Sequence, residues 1–264
     1  MEKIKVVVRG AAGRMGQEVV RAICLEPETE LVGCVDQKVT GKTMTLPDGS
    51  GSVPFSSDLE QILNDCQPAV VVDFTLAPAV IPAVQVITEK GVDLVIGTTG
   101  LSQDDLSEID QLAVGHKVGV VVAANFAIGA VLMMHMAKIA AQHMDYAEII
   151  ELHHDKKADA PSGTALTTAR GMAKARGKPF LQPDIKGEWS PSRGQDVDGV
   201  MVHAVRLPGL LAHQEVILGG QGQTLSIRHD TISRECFMPG VILAVKEVIN
   251  RTGLIYGLDT LLGL

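Results

Sequence analysis

Lys3-Ile-Lys-Val-Val-Val-Arg9, Gly10-Ala-Ala-Gly13-Arg-Met-Gly16 and Glu30-Leu-Val-Gly-Cys-Val-Asp36 decide how this chain folds. The first is an apolar run of strand length, and the second is a glycine turn. Met15, Val19, Val20 and Ile23 then fall on one face of a helix that stops near Glu26-Pro27. The third run is a second apolar strand that ends on an acid. Strand, glycine turn, helix, strand and acid, in that order, is the layout of a dinucleotide-binding βαβ unit. The glycines allow a tight turn and a close approach of backbone to a pyrophosphate. Asp36, twenty residues beyond Gly16, is placed to accept hydrogen bonds from the ribose hydroxyls of adenosine. The spacing is Gly-x-x-Gly-x-x-Gly, one residue longer between the first two glycines than the usual pattern. A purely structural turn is the competing explanation.

Working outward, Ala69–Phe74, Val92–Ile96 and Val118–Val122 read as further buried strands. Helical patterns separate them: Asp58 to Leu63, the segment from Pro78 to Lys90, and a helix capped by Ser102 with Asp104 and Asp105 in its first turn. Leu46–Pro54 is turn-forming and reads as a surface loop. Alternating strands and helices predict a doubly wound parallel sheet, whose ligands lie at the carboxyl ends of its strands. Gly97, Thr98 and Thr99, and Ala123, Ala124, Asn125 and Phe126, stand at such ends and are expected to line the nicotinamide half of the pocket.

The pattern changes after Asn125. A helix from about Ile128 to His143 leads into a strand, Ala147–Leu152, and a second helix spans Gly163 to Arg176. Lys178–Asp198 reads as an irregular loop carrying the only tryptophan, Trp189. Three strands follow at Val200–Arg206, His213–Leu218 and Thr224–His229, the last two joined as a hairpin by Gly219–Gly222. A final helix is expected from Phe237 to Arg251. The predicted fold is α/β: an N-terminal Rossmann-type doubly wound parallel sheet, then an α+β domain with a mixed, largely antiparallel sheet. The expected division is 1–126 for the dinucleotide, with 236–264 packing back on it, and 127–235 for substrate binding and oligomerisation.

Composition narrows the function classes. Charged residues number 23 basic and 31 acidic, a formal net charge of −8, and aromatics are 3%, so nucleic-acid binding is not expected. Four scattered cysteines form no Cys-x-x-Cys pair, which argues against a zinc site or a disulfide framework and for a cytoplasmic protein with reduced thiols. Met1-Glu-Lys-Ile-Lys5 enters a strand directly, and no signal peptide is expected. Val118–Ala137 carries no Asp, Glu, Lys or Arg, but its β-branched first half and helix-forming second half predict a strand, loop and helix rather than a membrane span.

Chemistry concentrates in Glu151-Leu-His-His-Asp-Lys-Lys-Ala-Asp-Ala-Pro-Ser-Gly-Thr-Ala165. His153 and His154 end a strand, so from a regular strand at most one faces a given pocket wall. Lys157 can hold a carboxylate or donate a proton. Ser162, Gly163 and Thr164, at a helix start, offer N–H and hydroxyl donors to a second carboxylate. Together these groups favour a small dianionic substrate bearing an imine or carbonyl, although a solvated loop would also tolerate them. No metal ligation is expected; His203, His213 and His229 are scattered over strands.

This stretch resembles the signature of the bacterial 4-hydroxy-tetrahydrodipicolinate (dihydrodipicolinate) reductases. The Val8–Gly16 turn, Gly97-Thr-Thr-Gly100, Ala124-Asn-Phe126, and Ser233-Arg234 with Phe237 and Gly240 are similar to that family as well. The resemblance implies His153 as proton donor or acceptor, Lys157 as a second proton donor and His154 as a substrate contact. It gives Gly163 and Thr164 the backbone role at a substrate carboxylate. Gly10, Ala11, Ala12, Gly13, Arg14, Met15, Asp36, Gly97–Thr99 and Ala123–Phe126 would hold the cofactor. It further implies reduction of the cyclic dicarboxylate with NADH and/or NADPH and loss of water, in lysine and diaminopimelate synthesis, by a homotetramer. Asp36 is followed by Gln37 and Lys38 where some members place an arginine for a 2′-phosphate, so NADH is expected to serve well and NADPH to remain usable. The competing functions are another two-domain dehydrogenase of a small oxo acid and a sensor that binds NAD(H) without turnover.

Overall fold

The computed structural model describes residues 2–184 and 190–264, which form two compact units, one of residues up to 128 with 234–264 and one of the described residues between 129 and 233. Trp189 lies outside the described residues.

In chain order the first unit holds β1 (Ile4–Arg9), α1 (Arg14–Leu25), β2 (Thr29–Val35), β3 (Thr43–Thr45), β4 (Ser52–Ser56), α2 (Leu59–Cys66), β5 (Val70–Asp73), α3 (Ala77–Glu89), β6 (Asp93–Ile96), α4 (Gln103–His116) and β7 (Gly119–Val122). Gly16, Val19, Val20 and Ile23 are the buried stripe of α1, spaced as a helix with one face on a sheet requires. Asp58 caps α2 by accepting from the Gln61 N–H at 3.0 Å. Ser102 and Asp105 form a capping box on α4. Each such cap contributes about 1 kcal/mol. The central strands β5 and β7 are buried along their whole length, as strands covered on both faces must be.

The second unit follows with α5 (Ile128–Ala141), β8 (Tyr146–His153), α6 (Gly163–Arg176), β9 (Gln195–Val197), β10 (Val200–Arg206), β11 (Ala212–Gly220) and β12 (Gln223–Thr231). The chain then returns to the first unit as α7 (Met238–Val248), β13 (Gly253–Tyr256) and α8 (Leu258–Leu262).

Among the described residues the first sheet runs β13-β7-β6-β5-β1-β2-β4-β3, with every pair parallel except β3 on β4. The chain moves outward from β1 to β2 and β4, then crosses back to place β5 on the other side of β1. That reversal is the point at which such sheets open a crevice at their carboxyl ends. The second sheet runs β12-β11-β8-β10-β9; only β8 on β10 is parallel. The predicted fold class is thus the observed one. Each unit has its own aliphatic core, around Val71, Ile87, Leu94 and Val120 in the first and around Ile149, Met172, Val202 and Leu218 in the second.

The structure differs from two expectations and adds a strand. Leu46–Pro54 is not simply a loop: Leu46–Gly51 connects β3 to β4, which joins the sheet beside β2. The buried alternation of Val53 and Phe55 was masked by the turn-forming residues around it. Lys178–Asp198 is not wholly irregular, because Gln195–Val197 pairs with β10 as β9. The strand β13, parallel to β7, was not anticipated. Val118–Ala137 divides into β7, a loop and α5, and among the described residues no helix is long and apolar enough to cross a membrane.

Candidate functional site

In the first unit the carboxyl ends of β1, β2 and β5 open onto a cleft of about 450 Å³ lined by Arg9, Gly10, Ala12, Gly13, Asp36 and Lys38 on one side and Phe74 to Leu76 on the other. Its shape depends on two glycines. Gly10 has φ +79°, and a Cβ there would lie 2.8 Å from the Phe74 carbonyl oxygen. At Gly16 a Cβ would lie 1.9 Å from the Gly10 oxygen, so only glycine lets α1 start this close to the turn. Gly13 is the N-cap of α1 and no side chain caps that end. The Arg14, Met15 and Gly16 N–H groups stand in the first turn, where helix geometry leaves them without intrahelical acceptors and open to a phosphate. Ala11 is buried behind the turn, and Arg14 is exposed.

Asp36 follows β2. Its Oδ2 accepts from the Ala12 N–H at 2.9 Å and its Oδ1 from the Lys38 N–H at 2.9 Å. Each oxygen keeps a lone pair for a sugar hydroxyl. Gly97 follows β6 and donates its N–H to the Asp73 carbonyl at 2.8 Å. Thr98 is buried, and its Oγ1 has no hydrogen-bond partner, whereas Thr99 is exposed. A buried hydroxyl without a protein partner at a strand end is open to a polar ligand or an ordered water. Ala123 continues β7 with its N–H on the Ile96 carbonyl, Ala124 is exposed, Asn125 accepts from the Ala127 N–H through Oδ1, and the Phe126 ring tilts against Phe74 at 5.8 Å. These two loops stand at neighbouring strand ends and do not line the cleft around Asp36. The glycine turn, the uncapped helix, Asp36 and the Thr98 hydroxyl together fit a dinucleotide.

Arg9 was overlooked in the sequence. It ends β1, and its Nη1 donates to Asp73 Oδ2 at 2.5 Å and to Thr75 Oγ1 at 2.9 Å, while Nη2 reaches the Ala79 carbonyl at 3.1 Å. A charged residue directly before the first glycine of the turn was the available signal.

In the second unit β8 delivers His153 as its last residue, and His154 lies just beyond. Residues two apart share a face of a strand, so His153 and the fully buried Glu151 project to the same side. The Glu151 carboxylate contacts His153 Nδ1 through Oε2 at 2.5 Å, accepts from the Ser162 N–H on Oε1 at 3.0 Å, and takes both terminal nitrogens of Arg206 at 2.9 and 2.8 Å. Burial opposes its charge, but the hydrogen bonds from His153 and Arg206 outweigh burial and hold this carboxyl below the usual range.

Arg206 Nη2 also donates to the Asp159 carbonyl at 2.6 Å, and the Asp159 carboxylate holds Lys157 Nζ at 2.8 Å. The hydrogen bond from Lys157 lowers the Asp159 carboxyl in turn. The His154 carbonyl accepts from the Lys157 N–H at 3.2 Å. Ser162 is buried and caps α6, accepting from the Ala165 N–H at 3.2 Å, so its own N–H and hydroxyl oxygen are both engaged. Gly163 and Thr164 are the first two helical residues, and helix geometry leaves their N–H groups without intrahelical acceptors. The structure thus links His153, Lys157 and the start of α6 through Glu151, Arg206 and Asp159. None of these three was singled out in the sequence; for Glu151 the signal was a charge on the inward face of an otherwise apolar strand.

Comparison with known proteins covers almost the whole chain. Residues 4–126 match the family described as dihydrodipicolinate reductase, N-terminus, and residues 129–262 the one described as dihydrodipicolinate reductase, C-terminus. The chain is 54% identical over 264 residues to the 4-hydroxy-tetrahydrodipicolinate reductase of Dehalococcoides mccartyi strain BAV1, covering 100% of each. It is 48% identical to that of Moorella thermoacetica, covering 98% of each. Among solved structures, the dipicolinate-bound dihydrodipicolinate reductase of Paenisporosarcina sp. TG-14 is 40% identical with a TM-score of 0.87, over 98% of this chain and 99% of that one. An amine dehydrogenase from Mycobacterium smegmatis, 14% identical with a TM-score of 0.65 over 96% of this chain and 94% of that one, shares the fold alone. On matched halves that together span almost its full length, this chain belongs to the dihydrodipicolinate reductase family.

Proposed function

We propose that this protein reduces 4-hydroxy-tetrahydrodipicolinate to tetrahydrodipicolinate with a reduced nicotinamide cofactor, serving lysine and diaminopimelate synthesis. The reaction takes up one hydride and one proton and releases one water. The observation that carries the reading is the joining, within one unit, of a ring nitrogen donor at His153 and a helix start with two open N–H groups, both held by Glu151. A proton source and an anion cradle at fixed separation are what a small cyclic dicarboxylate requires. The Paenisporosarcina relative binds dipicolinate, a ring with two carboxylates, which supports that substrate class.

In this reading the first unit binds the cofactor and the second binds the substrate and carries the oligomer contacts of a cytoplasmic homotetramer. When bound, the reduced nicotinamide supplies the hydride. Gly10 to Met15 receive the pyrophosphate on backbone N–H groups, Asp36 accepts from the ribose hydroxyls, and Gly97–Thr99 with Ala123–Phe126 receive the nicotinamide end. Gly163 and Thr164 hold one substrate carboxylate, and Lys157 with His154 meets the other. Ser162 shapes the cradle by capping α6. His153 or Lys157 supplies the proton.

Both NADH and NADPH are expected to be used. Asp36 disfavours a 2′-phosphate, Arg14 and Lys38 favour it, and Arg9 contributes less because Asp73 already neutralises it at 2.5 Å. The test is oxidation of NADH and NADPH with the substrate generated in place by the synthase that makes it, against a panel of small oxo acids. Turnover confined to the synthase product supports the proposal. Turnover of an oxo acid instead, or cofactor binding without any turnover, overturns it.

A further inference from the structure

Glu151 is fully buried, on the same strand face as Ala147 and Ile149. A carboxylate on such a face is costly unless several donors meet it, and Arg206 alone could satisfy it in a bidentate pair. The contact to the His153 ring is therefore surplus to what burial demands, and at 2.5 Å it is the shortest of the set. Among the described residues no other side chain bonds the ring. Arg206 lies opposite His153 on β10 and is turned to the carboxylate, and Ala212 lies opposite it on β11. Gln214, opposite Glu151 on β11, donates to Thr168. On the following loop Asp159 is occupied by Lys157.

We infer that Glu151 is a positioning residue for the proton-donating His153: its carboxylate fixes the ring through Nδ1–H and leaves Nε2 to exchange the proton with the substrate. This rests on the reading of His153 given above. With Nδ1–H bound to an anion, the neutral ring carries its lone pair on Nε2 and the protonated ring donates from Nε2, so one nitrogen is assigned to the chemistry in both states. The same division of labour operates where a buried acid orients a catalytic histidine in hydrolases. Here the acid also holds the Ser162 N–H, so the ring and the anion cradle are set by one side chain.

The test has two parts. In the unmodified protein, ¹⁵N NMR of the imidazoles, with His153 assigned by loss of its signals in His153→Ala, should show the neutral ring as the Nδ1–H tautomer. An Nε2–H tautomer overturns the proposal, and this part requires no variant of Glu151 to fold. The second part compares Glu151→Gln, the double variant Glu151→Gln/Arg206→Met, which removes both buried charges together, and His153→Ala. The double variant should lose roughly 10- to 100-fold in kcat with cofactor affinity unchanged. In its ¹⁵N spectrum the neutral His153 ring should no longer be held as the Nδ1–H tautomer alone, because no carboxylate accepts from Nδ1. A folded double variant with wild-type kcat and an unchanged Nδ1–H tautomer, beside a crippled His153→Ala, overturns the positioning role and leaves the function intact. An unimpaired His153→Ala overturns the positioning role and leaves the proton to Lys157, with the function itself intact.

Discussion

The proposed cofactor side of the first unit is made of backbone, and the proposed substrate side of the second is made of side chains. Around Gly10–Gly16 the groups offered are N–H donors of a helix start, shaped by glycines whose Cβ would collide with neighbouring carbonyls, and one carboxylate at Asp36. At the end of β8 the groups are an imidazole, an ammonium and a helix start held together by a buried carboxylate, a guanidinium and a second acid. Backbone recognition suits a ligand whose pyrophosphate is always the same. It is rigid, and it needs a parallel sheet whose strand ends converge. Side-chain recognition suits a proton transfer, because only side chains titrate, and it needs a mixed sheet in which β8 is flanked by both β10 and β11 so that distant residues meet.

The largest effect should come from breaking the side-chain half. His153→Ala and Lys157→Ala should each lower kcat by about 10²–10⁴ with cofactor affinity retained; both variants turning over at wild-type rates would remove the assignment. Breaking the backbone half should look different. Gly16→Ala forces a Cβ to within 1.9 Å of the Gly10 oxygen, so the turn must shift, and kcat/KM should fall about 10²-fold with weaker cofactor binding in a direct titration. Should the variant bind cofactor as the parent does, the turn is not a cofactor contact.

A milder substitution sharpens the division. Asp36→Asn removes a charge while keeping an acceptor, and should shift the NADPH-to-NADH ratio of kcat/KM toward NADPH by about tenfold, the worth of one screened like-charge interaction near a surface. An unchanged ratio means that Asp36 does not meet the ribose.

The smallest and most graded difference concerns acid. The Glu151 carboxyl titrates below its ordinary value of 4.5 in the folded protein. The native state therefore binds that proton less readily than the unfolded chain, and its contribution to stability is fully present above the unfolded pKa. It is lost as pH falls through the depressed folded value. Asp159 and Asp230 in the same unit are lowered as well. Thermal unfolding followed from pH 7 to pH 3 should show a falling midpoint, with the steepest loss below pH 4.5, and Glu151→Gln should flatten that dependence. A Glu151→Gln protein with the same pH slope as its parent contradicts the assignment.

Much of the fold could be read from periodicity. The glycine turn between β1 and α1, the caps at Asp58 and Ser102, and α6 from Gly163 to Arg176 are local patterns, set by residues within a few positions of one another. The strands β4 and β9 were hidden because each is short and sits among turn-forming residues. The outer strand β13 carries a signal of only four residues. For the sites, the sequence pointed to His153, Lys157 and Asp36 because unusual groups were crowded there or fell at a telling spacing.

By itself, then, the sequence determined the alternation of the central strands and helices and the dinucleotide-type turn, and it singled out the polar stretch from Glu151 to Ala165, all of which depend on short-range sterics, hydrogen bonding and burial. Tertiary structure alone decided that Arg9 meets Asp73, 64 residues away, and that Arg206 closes on Glu151, 55 residues away. Those pairings follow from which strands lie side by side and in what register, and a one-residue slip would turn each side chain to the opposite face of its sheet. No local pattern carries that information, because the energy that selects the register is shared over a whole sheet.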